Sequence, residues 1–386
     1  KIHMITIKKP FIEHEGEYAS LKCEIIIQDP TSENARGGVI FFKVKNEYAP
    51  YLTYERSDAY IIGLLKYAMS NKHDIQCETP VSETLLFNLD TFFIDSLVSN
   101  SKNLYRTKIY ADIASDVLPN DGAVGTGASM GIDSFHSIIN HSKSRFPQHD
   151  ITHLSFHNVG ASYGSGSSVY KERLHNAEMF CKEYGYKLVV SDSNIQDVIW
   201  QDHYLTHHYT SGFAIFCLQK LWKVYYYASS SPYSEFTLKN NDLYAPGRYE
   251  LLTVYAFSTD ILKIYSEGAT KNRLEKTHLV ADSPLSYKYL NVCMIQGHNC
   301  GECEKCIRTM TMLDAIGSLN NYSSVFPVDK YYNNYDYYMG RIYYYHKRGL
   351  HAFDSIYPHF KDKITFKAKL NALKYTFNLI KSKFRK

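Results

Sequence analysis

The chain has 386 residues, 45% of them hydrophobic and 21% charged, with a formal net charge of +4. That length and composition suit a folded chain with one large core and a smaller one, in two or three lobes. No run is long enough to cross a bilayer, the charged start at Lys1 to Pro10 is unlike a secretory signal, and +4 is too small to argue for nucleic acid by itself. Cys23, Cys77, Cys181 and Cys217 are scattered through apolar contexts and read as reduced core residues, so the expected compartment is the cytoplasm.

In chain order, the first part is strand-like before it is helical. Residues 38–44 read as a strand, 58–69 as a helix, and 82–89 as a second helix that Ser82 can cap after Pro80. Strand character returns at 108–114, and Pro119-Asn-Asp-Gly122 marks a turn, which places a boundary near residue 118 and an N-terminal α+β lobe before it. In that lobe Arg56-Ser-Asp58 and Glu78 to Glu83 either cap helices, through Ser57, Asp58 and Ser82, or reach into a ligand crevice.

Beyond the boundary the pattern alternates: strand 123–128, helix 132–142, strand 151–159, helix 169–184, strand 187–191, helix 211–222, strand 223–228. This predicts an α/β fold with a parallel sheet and right-handed crossovers. Ligands in such sheets sit beyond the carboxyl ends of the strands, where the first loop is Gly125 to Ser134.

That loop has no Gly-Lys-Ser/Thr, and Met130 stands where the dinucleotide pattern requires its third glycine. What remains is Ser129-x-Gly131-x-Asp133-Ser134, opening into a helix. Small residues let backbone N–H groups approach a phosphate, the helix start adds positive potential, Ser129 and Ser134 offer hydroxyls, and Asp133 can hold magnesium. A capped turn, with Asp133 and Ser134 satisfying helix donors, is the plainer alternative. Downstream, Cys293-x6-Cys300-Gly-Glu-Cys303-Glu-Lys-Cys306 spaces four thiols for one tetrahedral zinc. A site closed by four sulfurs staples loops and leaves no position for water; an iron–sulfur cluster is the rival.

The Ser-x-Gly-x-Asp-Ser loop resembles the pyrophosphate loop of the ATP pyrophosphatases, the adenine nucleotide alpha-hydrolase-like superfamily. Within it the four-cysteine run, with Arg308 soon after, is most similar to the 7-cyano-7-deazaguanine synthases. The resemblance covers residues 120–316. It implies an α/β fold, a Rossmann-like parallel sheet with helices on both faces, joined to the N-terminal lobe (1–118) and to a zinc-stapled C-terminal region, with the ATP-binding domain over 119–316. It further implies that Ser129, Gly131, Asp133 and Ser134 hold the ATP phosphates with Mg2+ near Asp133, that Ser155, His157 and Asn158 lie where adenine is seated, and that Cys293, Cys300, Cys303 and Cys306 hold structural Zn2+. A homodimer is also implied. Met130 replaces the family's usual glycine, which narrows backbone freedom.

The implied chemistry is attack of a carbonyl oxygen on the alpha phosphate, giving an adenylate and pyrophosphate, then displacement of AMP by a nitrogen or sulfur nucleophile. It needs phosphate positioning and cations more than an enzyme nucleophile. Arg173, Arg273 and Lys276 are the candidate cations, unless they are solvated surface charges. His207, placed before a helix, is a candidate acid, base or phosphate donor, unless Thr210 or Ser211 merely caps there. Ser229-Ser-Ser231 after a strand is a candidate substrate loop or a plain turn. The leading expectation is an ATP-dependent ligase or amidotransferase-type enzyme acting on a small-molecule carboxylate or carbonyl. A sulfur transferase and a catalytically inactive nucleotide-binding or RNA-binding scaffold are the alternatives.

Residues 317–386 form a tyrosine-rich, basic, helical segment. Its clusters at 331–332, 337–338 and 343–345 are a stacking surface or amphipathic packing. From Lys361 the basic residues Lys361, Lys363, Lys367, Lys369, Lys374, Lys381, Lys383, Arg385 and Lys386 face one acid, Asp362, with Ile364, Phe366, Leu370, Leu373, Phe377 and Ile380 interleaved. Such a helix either lies on an anionic membrane surface or RNA, or docks its apolar stripe on the protein body.

Overall fold

A computed structural model describes residues 3–28, 37–160 and 164–383; Arg385 and Lys386 of the basic tail lie outside the described residues. The chain divides into two interleaved compact units. One comprises residues 1–128, 140–167 and 178–270, the other 129–139, 168–177 and 271–386.

The strands are β1 (His3–Ile7), β2 (Phe11–Glu15), β3 (Tyr18–Ile27), β4 (Gly38–Lys45), β5 (His73–Cys77), β6 (Val81–Ser82), β7 (Ile109–Tyr110), β8 (Ile113–Ala114), β9 (Ala123–Gly127), β10 (His153–Asn158), β11 (Lys187–Ser193), β12 (Trp222–Ala228) and β13 (Lys263–Glu267). Among the described residues, helices of nine residues or more are α1 (Asp58–Asn71), α2 (Ile132–Asn140), α3 (Ser168–Tyr184), α4 (His203–Cys217), α5 (Arg273–Ala281), α6 (Glu304–Ala315), α7 (Tyr335–Lys347) and α8 (Phe366–Lys383). None of the described helices is long and apolar enough to cross a membrane.

In the first unit one mixed sheet runs β13-β12-β9-β10-β11-β4-β3-β1-β5-β7, with β2 paired to β3. The five strands from β13 to β11 are parallel; the alternating sequence predicts four of them, β9 to β12, and β13 lies beyond that predicted run. β4, β3 and β1 then pair antiparallel, and β5 and β7 continue parallel to β1. In β3 every second residue (Ala19, Leu21, Cys23, Ile25, Ile27) is buried, the period-two pattern of a strand with one face on the core. The region expected to be a separate lobe up to residue 118 shares this sheet, because β4 pairs with β11 through Ser191↔Val44, Asp192↔Lys43 and Ser193↔Phe42. Downstream, residues 271–386 group with 129–139 and 168–177.

Three local expectations change. The helix expected at 211–222 is α4, which starts at His203 because the Asp202 side chain accepts the Tyr204 N–H at 2.9 Å and caps it there. The strand expected at 108–114 splits into β7 and β8, and β8 pairs with β6 in a ribbon of its own. Ser82 heads its short helix without a capping bond. Its hydroxyl instead donates to the buried Asp58 at 2.6 Å, while Arg56 pairs with Asp116 at 2.7 Å and Lys8 with Glu78, so these groups hold the first unit together.

In the second unit α7 and α8 pack closely enough that a Cβ on Gly340 would lie 2.5 Å from the Ala368 carbonyl oxygen. Tyr331, Tyr338 and Tyr345 are buried, and Asp314 accepts hydrogen bonds from Tyr331 (2.9 Å), Tyr332 (3.2 Å) and Tyr335 (3.4 Å). Packing therefore accounts for much of the tyrosine clustering. α8 docks through Ala368 and Ala372, whereas Phe366, Leu370, Leu373, Phe377 and Ile380, the stripe expected to face the body in the docked alternative, are exposed.

Gly125, read from sequence as the start of the loop, lies inside β9, where an added Cβ would meet the fully buried Trp222 ring at 2.6 Å. Gly125→Ala is expected to destabilise the protein by about 2 kcal/mol through overpacking, read as a lower midpoint of urea unfolding at unchanged slope.

Candidate metal centre and anion site

The four thiols expected to bind metal do converge. Their Sγ atoms all lie within 4.8 Å of one another, with Cys300–Cys306 and Cys293–Cys303 each at 3.9 Å. Tetrahedral zinc with sulfur ligands at 2.3 Å needs sulfurs about 3.8 Å apart, so the donor set fits one such ion better than a multi-iron cluster. The loops are shaped for thiolate: Cys293 Sγ accepts the N–H groups of Ile295 and Gln296, Cys300 Sγ those of Glu302 and Cys303, and Cys303 Sγ that of Cys306, at 3.3–3.4 Å. Gly301 makes one of these turns at φ +73°, where an added Cβ would also collide with Pro327 at 2.4 Å. The Asn299 side chain accepts the Val292 N–H (2.8 Å) and donates to the carbonyls of Leu290 (2.8 Å) and Val325 (3.1 Å), fixing the segment between the first two cysteines. Arg173, a sequence candidate for phosphate chemistry, donates to the carbonyls of Cys293 and Gln296 and so braces the metal loop.

The loop expected to hold phosphate belongs to the same unit. The Asn291 N–H donates to the Met130 carbonyl at 2.8 Å, which ties the cysteine segment to the loop. Met130 adopts φ +55°, the left-handed conformation that glycine enters freely. That conformation costs about 1–2 kcal/mol for a side-chain-bearing residue, but the Met130 side chain is buried, which contributes about 2–3 kcal/mol. Methionine thus keeps the glycine-like turn. Gly131 precedes α2, whose first turn carries Asp133 and the buried Ser134; a carboxylate there is favoured by the helix dipole. Ser129 is exposed, with its hydroxyl 3.5 Å from the Gly131 N–H.

Asp133 is where the sequence candidates meet. One carboxylate oxygen lies 2.8 Å from the Arg273 guanidinium and the other 3.0 Å from the Lys276 ammonium, with Lys276 only 2% exposed. Both cations stand on the first turn of α5, which starts with a capping box: Asn272 accepts the Glu275 N–H at 3.0 Å and Glu275 accepts the Asn272 N–H at 2.8 Å. α6 adds two more cations. It begins at Cys303, whose sulfur caps it, so the metal loop sets the direction of its first turn and of Lys305 and Arg308. Burial, then repulsion from Arg273, pushes the Arg308 guanidinium down to about 10, and the Lys305 ammonium is lowered by burial and by Arg308. The unit thus gathers Arg273, Lys276, Lys305 and Arg308 around Asp133, with Glu304 as a further acid near Arg308. The first pair is legible in the sequence directly and Arg308 only through the resemblance. Lys305 was missed, although its i, i+3 spacing with Arg308 behind the Cys303 cap was the available signal.

The other candidates belong to the first unit. Ser155 Oγ is 2.6 Å from the Tyr225 hydroxyl, Asn158 donates to Asp192 at 2.7 Å, and His157 Nδ1 meets Ser191 Oγ at 2.6 Å. Burial pushes the His157 imidazole down to about 3, so it is neutral near pH 7. His207 lies inside α4 rather than before it; burial, then His208, pushes it down to about 3. Neither is poised as an acid at neutral pH. Ser229, after β12, donates to the Ser231 carbonyl at 2.9 Å, closing the local turn. No family model matches the chain, and no curated protein or solved structure matches it.

Three outcomes are expected. The purified protein should hold one zinc per chain by elemental analysis; Cys303→Ser should lose the ion and lower the thermal midpoint by about 5–10 °C, as removal of a structural metal does. Met130→Gly should destabilise by about 1 kcal/mol in urea, because lost burial outweighs relieved strain. Between the unfolded histidine value and the lowered value of His157, the unfolded chain binds a proton that the native chain does not, so stability falls as pH drops below about 6.5. This group alone should remove about 1.7 kcal/mol between pH 6.5 and pH 5, and His157→Asn should lessen that slope in unfolding curves without abolishing it, because His207 is lowered in the same direction.

Proposed function

We propose that this chain is an ATP-dependent ligase of the ATP pyrophosphatase type. In this reading it adenylates a carboxylate or carbonyl of a small molecule, releases pyrophosphate, and passes the adenylate to a nitrogen nucleophile. The observation that carries the reading is the cluster on Asp133, in which cations outnumber carboxylates and burial and repulsion lower the proton affinity of two of them, Arg308 and Lys305. An arrangement of that kind favours a polyanion. One feature supports it further: the thiol centre braces the Ser129-Met-Gly131 loop through Asn291.

Arg273, Lys276, Lys305 and Arg308 would meet the phosphates, and Asp133 would hold Arg273 and Lys276 in position. Charge that builds on the bridging oxygen as the bond from the alpha phosphorus to pyrophosphate breaks would be neutralised by these groups, while the substrate oxygen supplies the new bond. Magnesium does not fit Asp133 as expected from sequence, because each oxygen already faces a cation at 3.0 Å or less. Sulfur transfer is the weaker reading. Burial raises the thiols of Cys23 and Cys217, and pushes those of Cys77 and Cys181 up to about 12, which leaves them un-ionised and poor carriers of a persulfide.

Isothermal titration of zinc-loaded protein with a non-hydrolysable ATP analogue tests the reading. Wild type should bind, and Arg308→Ala and Arg273→Ala should each weaken binding by about 10- to 100-fold, the range of a lost charge-assisted hydrogen bond. Binding should be followed by pyrophosphate release on screening carboxylate substrates. No binding by wild type overturns the ligase reading; binding without turnover against any substrate favours a nucleotide-binding scaffold.

A further inference from the structure

α8 leaves its bulkiest apolar residues uncovered. At ~100° per residue, Phe366, Leu370, Leu373, Phe377 and Ile380 fall on one stripe about 80° wide, and all five are exposed, Phe366 at 76% and Phe377 at 65%. The docking face is the opposite one. Ala368 and Ala372 are buried there, and Tyr375 stacks under the Arg341 guanidinium of α7 at 3.6 Å. Thr365 starts the helix, accepting the Ala368 N–H at 3.0 Å while donating to Asp336 at 2.6 Å, so the rotation of α8 is set by both cap and packing.

Lysines border the stripe. Lys367, Lys374 and Lys381 follow one edge and Lys369 the other, and α8 itself carries no acid. Lys367 pairs with Asp336 at 3.3 Å, and Lys369 lies 5.9 Å from the Tyr343 ring; both remain exposed. Isolated exposed apolar side chains are ordinary, but a continuous stripe rimmed by charge marks an interaction surface.

We propose that this face of α8 docks on an anionic lipid bilayer, the stripe entering the boundary between headgroups and acyl chains while the lysine ammoniums meet headgroup phosphates. Charge decides between the occupants. A second copy of the helix would bring lysine edges together, and RNA would satisfy the lysines but leave the five apolar side chains in water. A negatively charged lipid surface complements both parts at once.

The test uses the full chain, sedimented with vesicles of phosphatidylcholine alone and of phosphatidylcholine with phosphatidylserine in equal parts. Partition should be at least tenfold stronger on the anionic vesicles and should fall with added salt. Two variants separate the contributions: Leu373→Ser with Phe377→Ser, and Lys374→Glu with Lys381→Glu. Each pair should reduce partition by at least about tenfold, with circular dichroism and thermal midpoint unchanged because these side chains are exposed. Equal partition on both vesicles, none on either, or indifference to both variant pairs overturns the proposal. So does a dimer in solution that Leu373→Ser with Phe377→Ser dissolves, or retention of RNA without vesicle binding.

Discussion

Four sulfur atoms held within 4.8 Å of one another set the frame on which the segment 290–308 is arranged. From that point the turn at Gly301 sends the chain into α6, Cys303 caps the helix, and Lys305 and Arg308 take their direction from its first turn. Upstream of the same point Asn291 reaches the Met130 carbonyl, so the left-handed bend in the loop is held by a segment that the thiols hold. Backbone N–H groups already aimed at the sulfurs lower the free energy of the thiolates before any ion arrives.

The cluster on Asp133 uses that rigidity against its own repulsion. Cations gathered in a partly dry place destabilise one another, as the lowered proton affinity of Arg308 and Lys305 records, and one carboxylate offsets only part of this. In the proposed reading the remainder would be recovered by a bound anion, so affinity would arise from an arrangement made during folding rather than from rearrangement on binding. The capping box at Asn272 and Glu275 serves the same end by fixing the first turn of α5.

Much of this is written locally in the sequence. Two-residue gaps among Cys300, Cys303 and Cys306 dictate sulfur convergence, and the strand-to-helix change around Ser129 to Ser134 is read from periodicity. Arg273 and Lys276 sit at i and i+3, which places them on one face of α5. What was illegible depends on distant partners. The pairing of β4 with β11 joins residues about 150 apart, and no local signal at residue 118 reveals it. Which face of α8 meets protein stays open in the sequence, because amphipathicity defines two faces without saying which one is covered; Gly340, on another helix, decides it by admitting Ala368. The start of α4 was misplaced because Tyr, Thr and His dilute the helical pattern, and the cap at Asp202 outweighs that propensity.

The orientation of α8 also bears on how copies of the chain behave in concentrated solution. Its lysine edges repel over a distance set by ionic strength, about 8 Å at physiological salt and about 3 Å at molar salt. Its apolar stripe feels no such screening, and excluded salts such as sulfate strengthen its tendency to leave water. Colloidal stability should therefore decline as salt rises, with adhesion beginning at this one stripe, and glutamate placed along its edges would reverse the sign of the rim without restoring repulsion lost to screening.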